Sequence, residues 1–228
     1  MQVELAARKN SGKRHRQTSP FSGKLFCGDC GEIYGSKVWH SNSKYRRTIW
    51  QCNGKFNGDT KCETPHLYET QLQELFLKAL STYMADREGI IADLQRTKKT
   101  LTDTDFIDAD ITATEQEMTL LSDMIRSCIN ANAANTLSVS DYRIQYDDLC
   151  QRFESAEKKH NALLSRRQQL EREAVIISGL LFEIMGLDTL PIAFNERLWA
   201  ATIERVTVYA DERLVFRFKD GTEITETL

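Results

Sequence analysis

The chain has 228 residues, of which 41% are hydrophobic and 28% charged. That is enough for one or two domains and a modest core, not for a large multidomain enzyme. No apolar run approaches membrane-spanning length and the first 20 positions lack the apolar core of a signal peptide. The expected protein is therefore soluble and cytoplasmic, with no membrane partner. With only 3 Pro and 11 Gly, a mainly helical α+β chain is predicted. The net charge of −3 hides an asymmetry. Met1 to His66 carries 12 Lys and Arg against 5 Asp and Glu, while Leu67 to Leu228 carries 18 against 28. The first part suits a polyanion and the second does not.

Met1 to Thr18 is polar with a basic cluster at Lys13, Arg14, His15 and Arg16, and reads as a linker or arm over residues 1–19 without a core of its own. Phe21 to His66 follows as a compact cysteine-bearing unit. Cys27-x2-Cys30 and Cys52-x9-Cys62 are two thiol pairs separated by 21 residues. Two such pairs on tight turns can converge on one tetrahedral metal, and in a reducing compartment they favour a single structural zinc over disulfides. Between them, Glu32 to His40 and Lys44 to Cys52 read as two strands, with Ser41-Asn42-Ser43 as the turn.

Thr64-Pro65 predicts the start of a helix running from about Leu67 to Lys98, because Leu67, Leu72, Leu75, Phe76, Leu80 and Tyr83 recur at helical spacing. Thr102 to Asp105 supplies break and cap chemistry for a second helix. That helix carries a seam at Ile107, Ile111, Thr114, Met118, Leu121, Ile125 and Cys128. An uncharged stretch, Ala131 to Ser140, intervenes. The seam then resumes at Tyr142, Tyr146, Leu149, Phe153, Ala156, His160 and Leu163, with Arg167 as a lapse before Leu170. Two seamed helices joined so briefly must run antiparallel, giving a coiled-coil hairpin about 35–40 Å long with its tip near 130–140. The narrow seam favours a projecting arm over a compact bundle.

Around Gly179 to Pro191 the pattern loosens. A short helix from Asn195 to Ile203 and strands at Val206–Tyr209, Leu214–Phe218 and Thr222–Thr225 close the chain, with Asp220-Gly221 as a hairpin turn. These strands are too few to stand alone and are expected to pack on the ribbon. The resulting division is 20–100 for the ribbon and its helix, 101–180 for the inserted hairpin, and 181–228 for the return helix and strands.

Chemistry-bearing residues lie mostly in the ribbon. Cys27, Cys30, Cys52 and Cys62 are the metal-ligand set, His66 is a substitute ligand, and Cys128 and Cys150 read as small core residues. The hairpin between the thiol pairs interleaves Lys37, Lys44, Arg46 and Arg47 with Trp39, Tyr45 and Trp50, and places His40 beside the turn. Cations neutralise phosphates and a two-stranded ribbon fits a major groove, so Lys37, His40, Lys44, Arg46 and Arg47 are candidate contacts to double-stranded DNA, joined by Lys13, Arg14 and Arg16 of the arm. Uncharged Leu137 and Val139, with Tyr142, are candidate protein contacts at the hairpin tip. No nucleophile–base–orienter set, phosphate-cradling loop or H-E-x-x-H pattern is visible, which points to a binding module rather than an enzyme.

Ser19 to Gly31, Gly35 to His40, Tyr45 to Cys52 and Cys62 to His66 together resemble the large serine recombinases, the serine integrases and transposon resolvases. In that family a recombinase zinc β-ribbon follows the catalytic domain and carries an inserted coiled-coil hairpin. The resemblance implies that the four cysteines bind zinc and that the ribbon contacts the outer part of each attachment half-site. It further implies that the hairpin tip touches other recombinase subunits, controlling synapsis and direction, with a recombination directionality factor as a further partner. The family's catalytic domain, with its nucleophilic serine, is missing, so the chain is expected to be a non-catalytic C-terminal fragment of a protein encoded by a bacterium, phage or mobile element. Two alternatives remain: a zinc-stabilised coiled-coil scaffold that binds protein and not DNA, and a metalloenzyme with an open zinc position.

Overall fold

The computed structural model describes residues 19–56, 62–134 and 138–228. Lys13, Arg14, Arg16 and Leu137 lie outside the described residues. The chain forms two compact units, one from residues 1–90 with 182–228 and the other from 91–181.

The first unit holds two sheets. Strands β2 (Tyr34–Trp39), β3 (Arg47–Cys52) and β4 (Leu67–Tyr68) form an antiparallel sheet in that order. Strands β1 (Leu25–Cys27), β5 (Ile203–Val208), β6 (Arg213–Phe218) and β7 (Glu223–Thr227) form the other. Its outer pair is unusual. β1 runs parallel to β5, with Leu25 opposite Val206 and Cys27 opposite Val208, whereas β5–β6 and β6–β7 are antiparallel hairpins. The C-terminal strands therefore find their partner in the three residues that end at the first cysteine.

Helix α1 (Glu69–Tyr83) buries Leu72, Leu75, Phe76, Ala79, Leu80 and Tyr83, one face at helical period. The predicted single helix from Leu67 to Lys98 is divided in the structure. Leu67 and Tyr68 are strand, because Leu67 takes the ladder position opposite Trp50. Pro65 accordingly precedes a strand and not a helix. After Tyr83 a 3₁₀ turn at Met84–Asp86 intervenes before α2 (Arg87–Thr102). There the Asp86 carboxylate accepts the Gly89 N–H at 3.1 Å and caps the new helix.

An aromatic cluster joins the start and the end of the chain. Helix α5 (Glu196–Thr202) is capped by Asn195, whose side chain accepts from Leu198 N–H, and it delivers Trp199 to the centre at 0% exposure. Trp199 packs edge-on against Phe21 (4.8 Å between centroids), Phe76 (5.1 Å) and Phe216 (6.5 Å), and its indole N–H donates to Pro20 O at 3.0 Å. Trp50 meets Phe21 at 6.1 Å, which ties the ribbon sheet to the same cluster. Tyr83 stacks on Phe218 at 3.9 Å and donates its hydroxyl to Asp220.

The second unit contains most of the helical residues. Helices α3 (Asp105–Ala133) and α4 (Val139–Met185) pair through Leu121, Cys128, Leu149 and Ala156, flanked by Met118, Ile125, Tyr142, Tyr146 and Phe153. Two polar contacts give their direction. Thr114 Oγ1 lies 3.2 Å from His160 Nδ1, and Asp108 forms an ion pair with Arg167 at 2.9 Å. Six residues back along α3 correspond to seven forward along α4, so the helices are antiparallel, as the seam predicts. The lapse at Arg167 is thereby filled with its acidic partner. Gly179 does not interrupt α4, contrary to expectation. The buried stripe continues past Leu170 through Ala174, Ile177, Leu181 and Ile184, which carries the helix over one glycine. No helix among the described residues is long and apolar enough to cross a membrane.

Trp199→Ala should lower the unfolding free energy of the protein by about 3–5 kcal/mol, the usual loss for a fully buried aromatic. Ile192→Ala, at a position that is 100% exposed, should change it by less than about 0.5 kcal/mol. Urea titrations of both variants check the pair.

Candidate functional site

The four thiols converge. β1 ends at Cys27 and β3 ends at Cys52, and the thiols of Cys30 and Cys62 lie beside those of the two strand ends. In the first turn Gly31 adopts φ +77°, a conformation open to glycine at little cost, and Gly31 N–H bonds to Cys27 O at 3.1 Å. The Cys30 N–H points at Cys27 Sγ across 3.5 Å. The close sulfur pairs each take one thiol from each motif: Cys27 with Cys62, and Cys30 with Cys52, both at 3.4 Å. All four sulfurs lie within 4.8 Å of one another. A tetrahedron with Zn–S arms of about 2.3 Å has edges of about 3.8 Å, inside that range, so the donor set fits one zinc ion. Zinc bound there would act as a structural cross-link with no open position.

Surrounding groups favour thiolates unequally. Burial pushes the Cys27 thiol up. The Cys30 N–H, the Thr64 hydroxyl, the Asp29 N–H and the Cys62 thiol outweigh it and hold Cys27 at about 7. Burial and the neighbouring Cys30 push Cys52 well above the ordinary thiol range. Thr64 is fully buried, with Oγ1 3.1 Å from Cys62 Sγ and 3.6 Å from Cys27 Sγ. His66 is not among the converging ligands. Its Nε2 lies 3.3 Å from the Tyr68 hydroxyl. Cys128 is buried in the helical hairpin, as expected of a core residue.

The C-terminal sheet bears directly on this centre. Gly28 N–H donates to Val208 O at 2.8 Å. A side chain at Gly28 would collide with the ring of Tyr209, on whose ring the guanidinium of Arg213 is stacked at 4.5 Å. Residues remote in sequence thus pack on the first cysteine turn.

The ribbon sheet has two unlike faces, because side chains alternate along its strands. Tyr34, Trp50, Cys52 and Leu67 share the inward face and are buried. On the other, Lys37 is opposite Ile49 and Ile49 opposite Tyr68, while Trp39 is opposite Arg47. This outer face carries the exposed cations Lys37 and Arg47 among rings. Trp39 packs against His66 at 4.8 Å, His66 meets Tyr68 edge-on at 5.3 Å, and Arg47 lies over Tyr68 at 4.6 Å and Trp39 at 6.0 Å. Burial lowers the pKa of His66, and the charges of Lys55 and Arg47 lower it further. The field at His66 is thus positive.

The sequence-predicted contacts divide between face and turn. Lys37 and Arg47 stand on the open face. His40, Lys44 and Arg46 belong to the exposed turn beyond it, where His40 adopts φ +54° and its carbonyl accepts the Ser43 N–H at 3.0 Å. His66 and Tyr68 were not expected on this surface. Their only sequence signal is the alternation His66-Leu67-Tyr68, masked by the helical reading of that stretch. At the hairpin end, Val139 is the first residue of α4 and 82% exposed, while Tyr142 is half-buried and stacked on Tyr146 at 5.6 Å.

Four thiols brought to one point beside a β-ribbon have the donor set of a zinc ribbon. More narrowly, residues 20–81 match the family model of the recombinase zinc beta ribbon domain, a stretch containing all four cysteines and the open face. Neither curated proteins nor solved structures yield a match.

Purified protein should carry one zinc per chain by elemental analysis. Cys52→Ser should lose it, whereas Cys128→Ser should retain it. Zinc binds thiolates, so acidification opposes binding: affinity in competition with a chromogenic chelator should fall steadily as pH drops, with Cys52 the costlier proton to displace than Cys27.

Proposed function

We propose that this chain is the DNA-binding and synapsis-controlling module of a site-specific large serine recombinase, acting without catalytic residues of its own. The zinc ribbon contacts attachment-site DNA, and the helical hairpin contacts other recombinase subunits. A directionality factor is a further partner for the hairpin. The observation that carries the reading is the open ribbon face, where Lys37 and Arg47 stand among Trp39, His66 and Tyr68 within the stretch that matches the recombinase ribbon domain. Cations on such a face neutralise phosphates, and aromatic rings supply stacking surface. Zinc would support this by fixing the end of the two-stranded ribbon at which Tyr34 pairs with Cys52, which makes the reading a metal-dependent one.

A second reading is supported by the hairpin. Ile129, Val139 and Ile144 are exposed apolar residues around its turn, and the chain from Leu67 onward is acidic. A zinc-stabilised protein-interaction scaffold without DNA binding accounts for these features but leaves the cationic ribbon face without a role.

Fluorescence anisotropy with a short labelled duplex, at two salt concentrations, separates the readings. Zinc-loaded protein should bind with strong salt dependence and chelator-stripped protein should not. Arg46→Ala/Arg47→Ala should reduce the slope of log affinity against log salt by about 2. Equal binding by the double variant would favour the scaffold. For the hairpin, Val139→Asp should weaken synapsis by the full recombinase in a gel-shift assay while leaving duplex binding by this chain unchanged.

A further inference from the structure

Arg47 is not an ordinary surface arginine. Its guanidinium lies over the Tyr68 ring at 4.6 Å and within 6.0 Å of the centroid of the Trp39 ring. The platform is itself braced. His66 packs between Trp39 and Tyr68, at 4.8 Å and 5.3 Å, and its Nε2 lies 3.3 Å from the Tyr68 hydroxyl. Two rings, from the end of β2 and from β4, thus meet one cation, and His66 packs against both of them. Arg46, the next residue in the chain, has no ring stacked on it among the described residues. Two adjacent arginines of equal charge therefore differ in how far their geometry is fixed in advance.

The consequence follows from guanidinium chemistry. Stacking occupies the planar face and leaves the N–H edges free, and those edges match a pair of acceptors side by side. Holding a long side chain in place before binding removes the rotamer entropy that an unbraced arginine loses on contact. A lysine ammonium has the charge but neither the plane nor the fork.

Resting on the DNA-binding reading above, we propose that Arg47 is the ribbon's specific bidentate contact to duplex DNA, and that Tyr68, braced by His66 and Trp39, is its positioning residue. The acceptor pair is either two oxygens of one phosphate or the O6/N7 edge of a guanine, which share this chemistry. Arg46, by contrast, contributes charge alone.

The test uses the zinc-loaded chain and two short duplexes, one G·C-rich and one A·T-rich. Arg47→Lys should lower affinity about tenfold or more while leaving the salt slope unchanged, since the charge is kept. Arg46→Lys should bind like the parent. Tyr68→Leu should reproduce the Arg47→Lys loss with zinc content intact, and Tyr68→Phe, which keeps the ring, should restore most of the affinity. A loss equal on both duplexes assigns the acceptors to phosphate, and a loss confined to the G·C-rich duplex assigns them to guanine. Parent-like binding by Arg47→Lys overturns the proposal even where the DNA-binding reading stands, and it decides the matter if Tyr68→Leu fails to retain zinc. A parent chain that binds neither duplex overturns both.

Discussion

The parallel pairing of β1 with β5 is the constraint on which the rest depends. Parallel neighbours cannot be joined by a tight turn, so the chain must leave one strand and return over a long connection before the ladder can form. Here the connection runs from Gly28 to Thr202 and includes the ribbon sheet, the long helices and α5. Leu25 to Cys27 thereby belongs at once to the cysteine centre and to the C-terminal sheet. The two share one strand. The aromatic cluster around Trp199 fills the space behind this junction, and the Trp199 indole bond to Pro20 closes it against the segment just before β1.

This arrangement also explains the inequality of the ribbon's two faces. The core claims Tyr34, Trp50 and Leu67 for the inward side, and Trp50 additionally bonds to Glu69 at the start of α1. At the alternate positions Ile49 and Gln51 are buried as well, while Lys37, Trp39 and Arg47 are exposed. Around the buried Ile49 this face carries the cations Lys37 and Arg47 and the rings of Trp39, His66 and Tyr68. His66 packs against both Trp39 and Tyr68, which limits the apolar area these rings expose. Lys55 and Arg47 both act on the neighbouring His66, whose pKa they lower.

The helical hairpin obeys a simpler logic. Its seam is apolar except at three places, and each is matched. Thr114 satisfies its hydroxyl on the Ile111 and Asp110 carbonyls and meets His160. Arg167 lies against Asp108 and, at 3.5 Å, Glu171. Polar pairs of this kind add little net stability, but a slipped register would separate them, so they select one alignment of the two helices. At the other end of α4, the Arg87 guanidinium donates to the carbonyls of Ile184 and Met185, which places a cation at the negative end of the helix dipole.

The features legible in the sequence were those written in local spacing. Cys27-x2-Cys30 and Cys52-x9-Cys62 announce a tetrahedral donor set, and steps of four and three announce the hairpin with its direction, because ligand geometry and helical period act over a few residues. Asp220-Gly221 belongs to the same class. The tertiary structure alone decided that Leu67 and Tyr68 extend into a ladder with Trp50, that Gly179 stays helical, that Trp199 becomes the hub, and that β1 accepts β5. In each case the deciding partner is remote in sequence or lies on another element, so propensity yields to a hydrogen-bond ladder or a buried contact. The ring platform beneath Arg47 belongs here too. It exists only because β4 puts His66 and Tyr68 beside Trp39, a neighbourhood that no window of the chain contains.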